Sequence, residues 1–234
     1  MKSALSALLG FLLVVSAAAA AGAGEQGVVL WYAEQEAGIE AYKVRYIVSR
    51  DFLRSDEGND EGEFVLLDRA ERQIYSVVPQ NRTILHIDGK GQLAQVPPGL
   101  AIEVKRSADE KAPKVAGVAP VTLELVASNE LCYSAVVVPG HLEQARAAFQ
   151  EFAQALSVQQ SRTLAATPQE YQTPCFLSRY LYATDFHLRQ GIPLVDWSPQ
   201  GQRRELLNYQ TGVDLDGQLF ELPEGFVMIE ASER

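Results

Sequence analysis

Three histidines, two cysteines and scattered carboxylates are the groups in this 234-residue chain whose types could do chemistry. Histidine changes charge near neutral pH, so His86, His141 and His187 come first. None stands in a motif that would arm it. The chain has no Gly-x-Ser-x-Gly elbow to present a nucleophile. It has no His-Glu-x-x-His pair to set two imidazoles on one helical face. Surface or packed histidines are the expectation. The stretch Asp56–Glu63 is acidic but lacks the ligand spacing of an EF-hand loop, and reads as a solvated hairpin tip. Gly89-Lys90-Gly91 is a turn with no Walker pattern after it. Asn81-Arg82-Thr83 matches a glycosylation acceptor, but Asn81 more simply supplies a turn. The chain is therefore expected to be no enzyme and to carry no cofactor or metal.

The cysteines depend on the compartment. Lys2 is followed by an uncharged apolar run, Ala4–Val15, and then by the small residues Ser16–Ala23. That order is a secretory signal peptide over residues 1–23, cleaved after Ala21 or Ala23. The run is too short for a membrane span of roughly 20 residues. No cysteine near the cleavage region offers a lipid attachment site, and no later segment is apolar enough to span a bilayer. Residues 24–234 are then a single domain with a periplasmic destination. Two cysteines, an even count in an exported chain, predict one disulfide between Cys132 and Cys175. The formal charge of −10 repels nucleic acid and anionic surfaces, so no nucleic-acid partner is expected.

The elements that must position these groups are mostly strands. Tyr42, Val44, Tyr46 and Val48 alternate with polar residues, as a strand with one buried face does. Strands follow at 51–56, 64–67, 73–78 and 83–87, separated by short turns, which is the spacing of an antiparallel meander. Further strands are expected at 102–104, 121–125 and 131–138. Pro139-Gly140 then opens the one long helix, about His141–Gln160, whose Leu142, Ala145, Phe149, Phe152 and Leu156 repeat at helical spacing. A short second helix is expected at Thr173-Pro174, with Thr as N-cap and Pro first. Ile192–Trp197 and Arg203–Tyr209 form a closing hairpin around Ser198–Gly201. Arg203-Arg204 and Arg69–Arg72 read as solvated strand edges. Tyr171, Phe176, Tyr180, Tyr182, Phe186 and Trp197 form either core, a cap on the sheet, or the mouth of an apolar pocket. Hairpins, one long amphipathic helix and a little more sheet make an α+β layout.

Several of these runs resemble a group of uncharacterised bacterial envelope proteins of the LolA-like superfamily, named for the periplasmic lipoprotein carrier. They are 52–56, 64–69 and 73–77, the 115–117 turn, the Cys132 strand, Pro174-Cys175, 191–194 and 220–226. The resemblance implies a curved antiparallel half-barrel with the helix packed on its concave face. It also implies a hollow of the kind that holds acyl chains in the carrier. The helix face Leu142, Phe149, Phe152 and Leu156 is expected to line that hollow. The reading is a binding module or carrier for a hydrophobic or lipidic group. The alternative is a non-catalytic structural or interaction protein with an envelope partner and a filled core.

Overall fold

The computed structural model describes residues 25–108 and 111–231, so the expected signal peptide lies outside the described residues. Twelve strands join one open sheet. They are β1 (Glu25–Gln35), β2 (Tyr42–Val48), β3 (Phe52–Asp56), β4 (Phe64–Asp68), β5 (Gln73–Val78), β6 (Thr83–Asp88), β7 (Ile102–Ala108), β8 (Val121–Ala127), β9 (Glu130–Val138), β10 (Ile192–Trp197), β11 (Arg203–Leu215) and β12 (Val227–Glu230). Their spatial order is β12-β6-β5-β4-β3-β2-β1-β11-β10-β9-β8-β7. One meander walks outward from β1 to β6. A second walks inward from the far edge at β7 to β11. The two fuse along the long β1–β11 pairing, which runs from Glu25 opposite Leu215 to Gln35 opposite Arg203. All pairings are antiparallel except β12 on β6.

The expected hairpins and the α+β layout are present. β1 and β12 were not expected from the sequence. The interior of β1, Val28–Tyr32, is a continuous apolar run without alternation, because β1 lies mid-sheet with both faces covered. The single buried face expected of β2 is also corrected: Ile47 and Val48, successive residues, are both buried. Successive side chains of a strand point to opposite faces, so each face has its own cover. One face carries Val48, Leu53, Leu67 and Ile74 under the long helix. The other carries Ile47, Phe64, Leu66 and Val77 under Leu215, Phe220, Leu222 and Phe226. Phe52 and Phe220 stack with ring centroids 5.4 Å apart. Arg54 donates to the Leu219 carbonyl at 2.7 Å, which ties this C-terminal cover to β3.

The long helix, α1, spans Glu143–Thr163. It starts two residues later than the sequence suggests, because Gly140 and Leu142 take left-handed backbone (φ 67° and 50°). Leu142 is thus the residue before the helix and not part of its first turn. α1 packs on β2, β3, β5, β6 and β10. Small residues let it come close: Ala145, Ala148, Ala155 and Ser157 are all buried. At Gly89 a Cβ would stand 2.4 Å from the Ala155 Cβ and 2.7 Å from the Arg72 carbonyl oxygen, so only glycine fits beneath the helix there. Arg69, expected at a solvated strand edge, instead clamps this contact by donating to both Glu151 carboxylate oxygens at 2.6 and 3.0 Å.

Candidate functional site

Beyond α1 the chain turns back across β8 and β9. The expected cap is present: the Thr173 side chain accepts from the Phe176 N–H and Pro174 opens a short helix, α2 (Pro174–Leu177). α2 runs directly into a π-helical turn, Ser178–Tyr182. Wide turns of this kind occur often at functional sites because the extra residue redirects the side chains. Cys175 is bonded to Cys132 on β9, as expected, with the Cα atoms 5.0 Å apart. The disulfide and the buried Ala183 and Phe186 seat this segment on Val121, Leu123 and Leu125 of β8.

The π turn projects Arg179 and Tyr180 into a cleft where four recesses meet. The largest, about 590 Å³, includes Glu36, Glu130 and Phe176 in its lining. A second, about 320 Å³, runs beside the C-terminal half of α1 and includes Ala153 and Leu156. A third, about 280 Å³, reaches Tyr133, Asp196 and Arg204. The fourth, about 160 Å³, is lined by Tyr133, Thr184, Phe186 and His187. Arg179 and Tyr180 line all four.

A buried polar network stands behind the third recess. Asp196 on β10 and Arg204 on β11 are direct cross-strand partners. The fully buried Asp196 carboxylate accepts from Arg204 Nε and Nη2 at 3.1 and 2.7 Å and from the Tyr133 hydroxyl at 2.7 Å. Burial, and then the charge of Asp196, push the Tyr133 phenol far above its ordinary value. Tyr133 therefore serves as a hydrogen-bond donor and not as a base. Arg204 lies over the rings of Tyr32 and Phe149, at 5.1 and 5.6 Å. The solvated edge expected for Arg204 is thus corrected: β11 is an interior strand, and the guanidinium is held between a carboxylate and two rings.

His187 lines the smallest recess and is only 6 % exposed. Neither of its ring nitrogens has a hydrogen-bond partner among the described residues. Tyr133 and Phe186 pack against its ring at 6.0 and 4.9 Å. Burial lowers its pKa to about 4; Asp196 and Asp185 oppose the shift and Arg204 adds to it. The imidazole is therefore neutral at pH 7. Unfolding between about pH 6.5 and pH 4 must take up one proton here, so this contribution to stability is full above pH 6.5 and lost as pH falls toward 4. The expected loss is roughly 3 kcal/mol at most. Urea midpoints across that pH range should fall for the native chain and fall less steeply for His187→Gln. Identical slopes would show that His187 titrates normally.

The other expected residues are placed as follows. Phe149 is 5 % exposed and sits in packed core, its ring centroid 4.9 Å from Tyr46 and 6.1 Å from Tyr32. Leu142 and Phe152 are partly buried against the same core. Leu156 is 38 % exposed and lines the recess beside α1. The four therefore do not face one common space. His86 bonds Glu230 and Gln73 and stacks on Tyr75, and His141 packs on Tyr209. Within the acidic stretch, Asp56 is engaged by Arg45 and Arg54. Its burial opposes ionisation, but these two guanidinium groups and the Gly58 N–H outweigh it and hold the carboxyl below its ordinary range.

Sequence reasoning passed over Arg179, Tyr133 and Asp196. The sign that could have found Asp196 is a carboxylate inside the apolar strand Ile192–Trp197, which requires a buried cation opposite it. No family model matches this chain, and no curated protein matches it. Among solved structures it is similar to PNGF-II, at 11 % identity and a TM-score of 0.42 over 88 % of this chain and 31 % of that one. The chain spans about a third of the length of PNGF-II. It is also similar to an uncharacterized conserved protein from Thermus thermophilus, at 9 % identity and a TM-score of 0.42 over 88 % of this chain and 91 % of that one. Likeness at this level carries no argument about chemistry.

Proposed function

We propose that this chain is an exported, non-catalytic binding module that holds a hydrophobic or lipidic group in the cleft at Arg179 and Tyr180. The observation that carries the reading is the split of the α1 stripe. Its Phe149 end is buried among rings, while its Leu156 end is exposed and lines a recess with Tyr180. An apolar side chain on the wall of an open recess is the ordinary setting of a ligand site. The disulfide supports an oxidising compartment such as the periplasm. The LolA-like resemblance supports a carrier, with α1 on the hollow side of a curved sheet and the ligand displaced from beneath the helix to its flank. Titration with a fluorescent acyl probe tests this. The native chain should bind, and Leu156→Gln should bind about tenfold more weakly, since a buried leucine contact is worth on the order of 1.5 kcal/mol or more. Native protein that binds no acyl probe refutes the carrier. The dense packing at Phe149 then favours the second reading, a structural or interaction protein of the envelope.

A further inference from the structure

The recess beside α1 contains a single ionised side chain, Arg179, among apolar groups and neutral polar ones. The other buried or half-buried arginines of the sheet and helix are paired with carboxylates: Arg45 with Asp56 and Asp60, Arg54 with Asp56, Arg69 with Glu151, Arg146 with Glu143, Arg162 with Asp88 and Arg204 with Asp196. Arg179 has no carboxylate partner among the described residues. Its Nη2 donates to Gln202 Oε1 at 2.7 Å, and its guanidinium lies 4.5 Å from the Tyr133 ring and 5.1 Å from the Tyr180 ring. Rings hold a guanidinium in place without consuming its N–H donors. Of five donors, one is used within the described residues.

A second observation points to the same place. His187, buried and with both nitrogens unpartnered, lines a recess that shares Arg179, Tyr180 and Thr184 with the one beside α1. A buried polar group without a partner is rare in folded proteins and calls for an acceptor or donor from outside the chain. A neutral imidazole offers one N–H, and Arg179 offers several. Neither of these two recesses has a carboxylate in its lining, whereas Glu36 and Glu130 line the largest recess and Glu34, Glu36 and Asp196 the third. The net charge of −10 opposes anions at a distance, but salt screens that field within about 8 Å, so local charge decides a contact inside the cleft.

Resting on the binding reading above, we propose that the ligand is an anionic amphiphile. Its carboxylate or phosphate head accepts hydrogen bonds from the unused N–H groups of Arg179, beside the recess that His187 lines, and its apolar chain lies along Ala153, Leu156 and Tyr180. The head supplies the acceptors that Arg179 lacks, and the chain covers the exposed end of the helix stripe. Charge-assisted bonds of this kind separate an anion from its neutral isostere by at least about tenfold in affinity.

The test uses the full mature chain and three fluorescent probes of one acyl length, a free fatty acid, its methyl ester and a lysophosphatidic acid. The native protein should bind the acid, the phosphate or both at least about tenfold tighter than the ester, and the tighter of the two names the head. Arg179→Gln should abolish that preference, weakening the binding of acid and phosphate more than that of ester. Arg179→Lys should keep part of it, and Leu156→Gln should weaken all three probes alike. Equal binding of acid, phosphate and ester by the native chain overturns the anionic head but leaves the binding module standing. That comparison needs no variant, so it decides even if Arg179→Gln does not fold. Absence of binding by every probe overturns both.

Discussion

Replacing Phe149 with Ala is expected to lower the unfolding free energy by about 3–5 kcal/mol, read as a shift in the urea midpoint at constant slope. The ring is 5 % exposed, meets the Tyr32 and Tyr46 rings, and lies under the Arg204 guanidinium. Its neighbours on α1, Ala145 and Ala148, are too small to move into the space it would leave. The variant also loosens one wall of the Asp196–Arg204 pair, whose attraction depends on exclusion of water. Leu156→Ala, on the same helix stripe, should cost less than about 1 kcal/mol because that side chain is already 38 % exposed. The contrast between the two separates filled core from recess wall. A Phe149→Ala loss below about 1 kcal/mol would mean that the helix bridges a void, as the sequence expectation had it.

Removing the Cys132–Cys175 bond is expected to cost about 4 kcal/mol in the chain-entropy model, since it closes a loop with a sequence separation of 43. That loop contains the whole of α1. The bond also anchors α2 and the π turn, so reduction should weaken acyl-probe binding at denaturant concentrations where the sheet is still folded. Denaturation of the native chain with and without reductant measures the first effect, and probe titration under the same conditions measures the second. Thiol titration of unfolded, unreduced protein should find no free sulfhydryl, and two reactive thiols per chain would contradict the bond.

Sequence alone determined the local elements and the covalent clip. The hairpins from Tyr42 to Asp88, the Thr173–Pro174 helix start and the Cys132–Cys175 pair are set by turn residues, capping chemistry and a cysteine count. These signals act over a few residues or admit one solution. The helix was legible from its repeat, although its start slipped because Leu142 adopts a left-handed backbone that no local signal demands. Tertiary structure alone decided β1, β12 and the cleft. β1 has both faces covered, so its residues do not alternate, and β12 pairs with β6 across more than a hundred residues of chain. The Asp196–Arg204 pair lay nearest to being read, since the expected hairpin around Ser198–Gly201 sets those two residues opposite each other. Its burial did not follow, because burial required Tyr133 from β9, Tyr32 from β1 and Phe149 from α1 to converge on it. Arg179 likewise becomes distinctive only where the fold sets it among rings and Gln202 with no carboxylate paired to it among the described residues. Charge type is written in the sequence, but charge compensation is a property of neighbours, and neighbours are chosen by the sheet order.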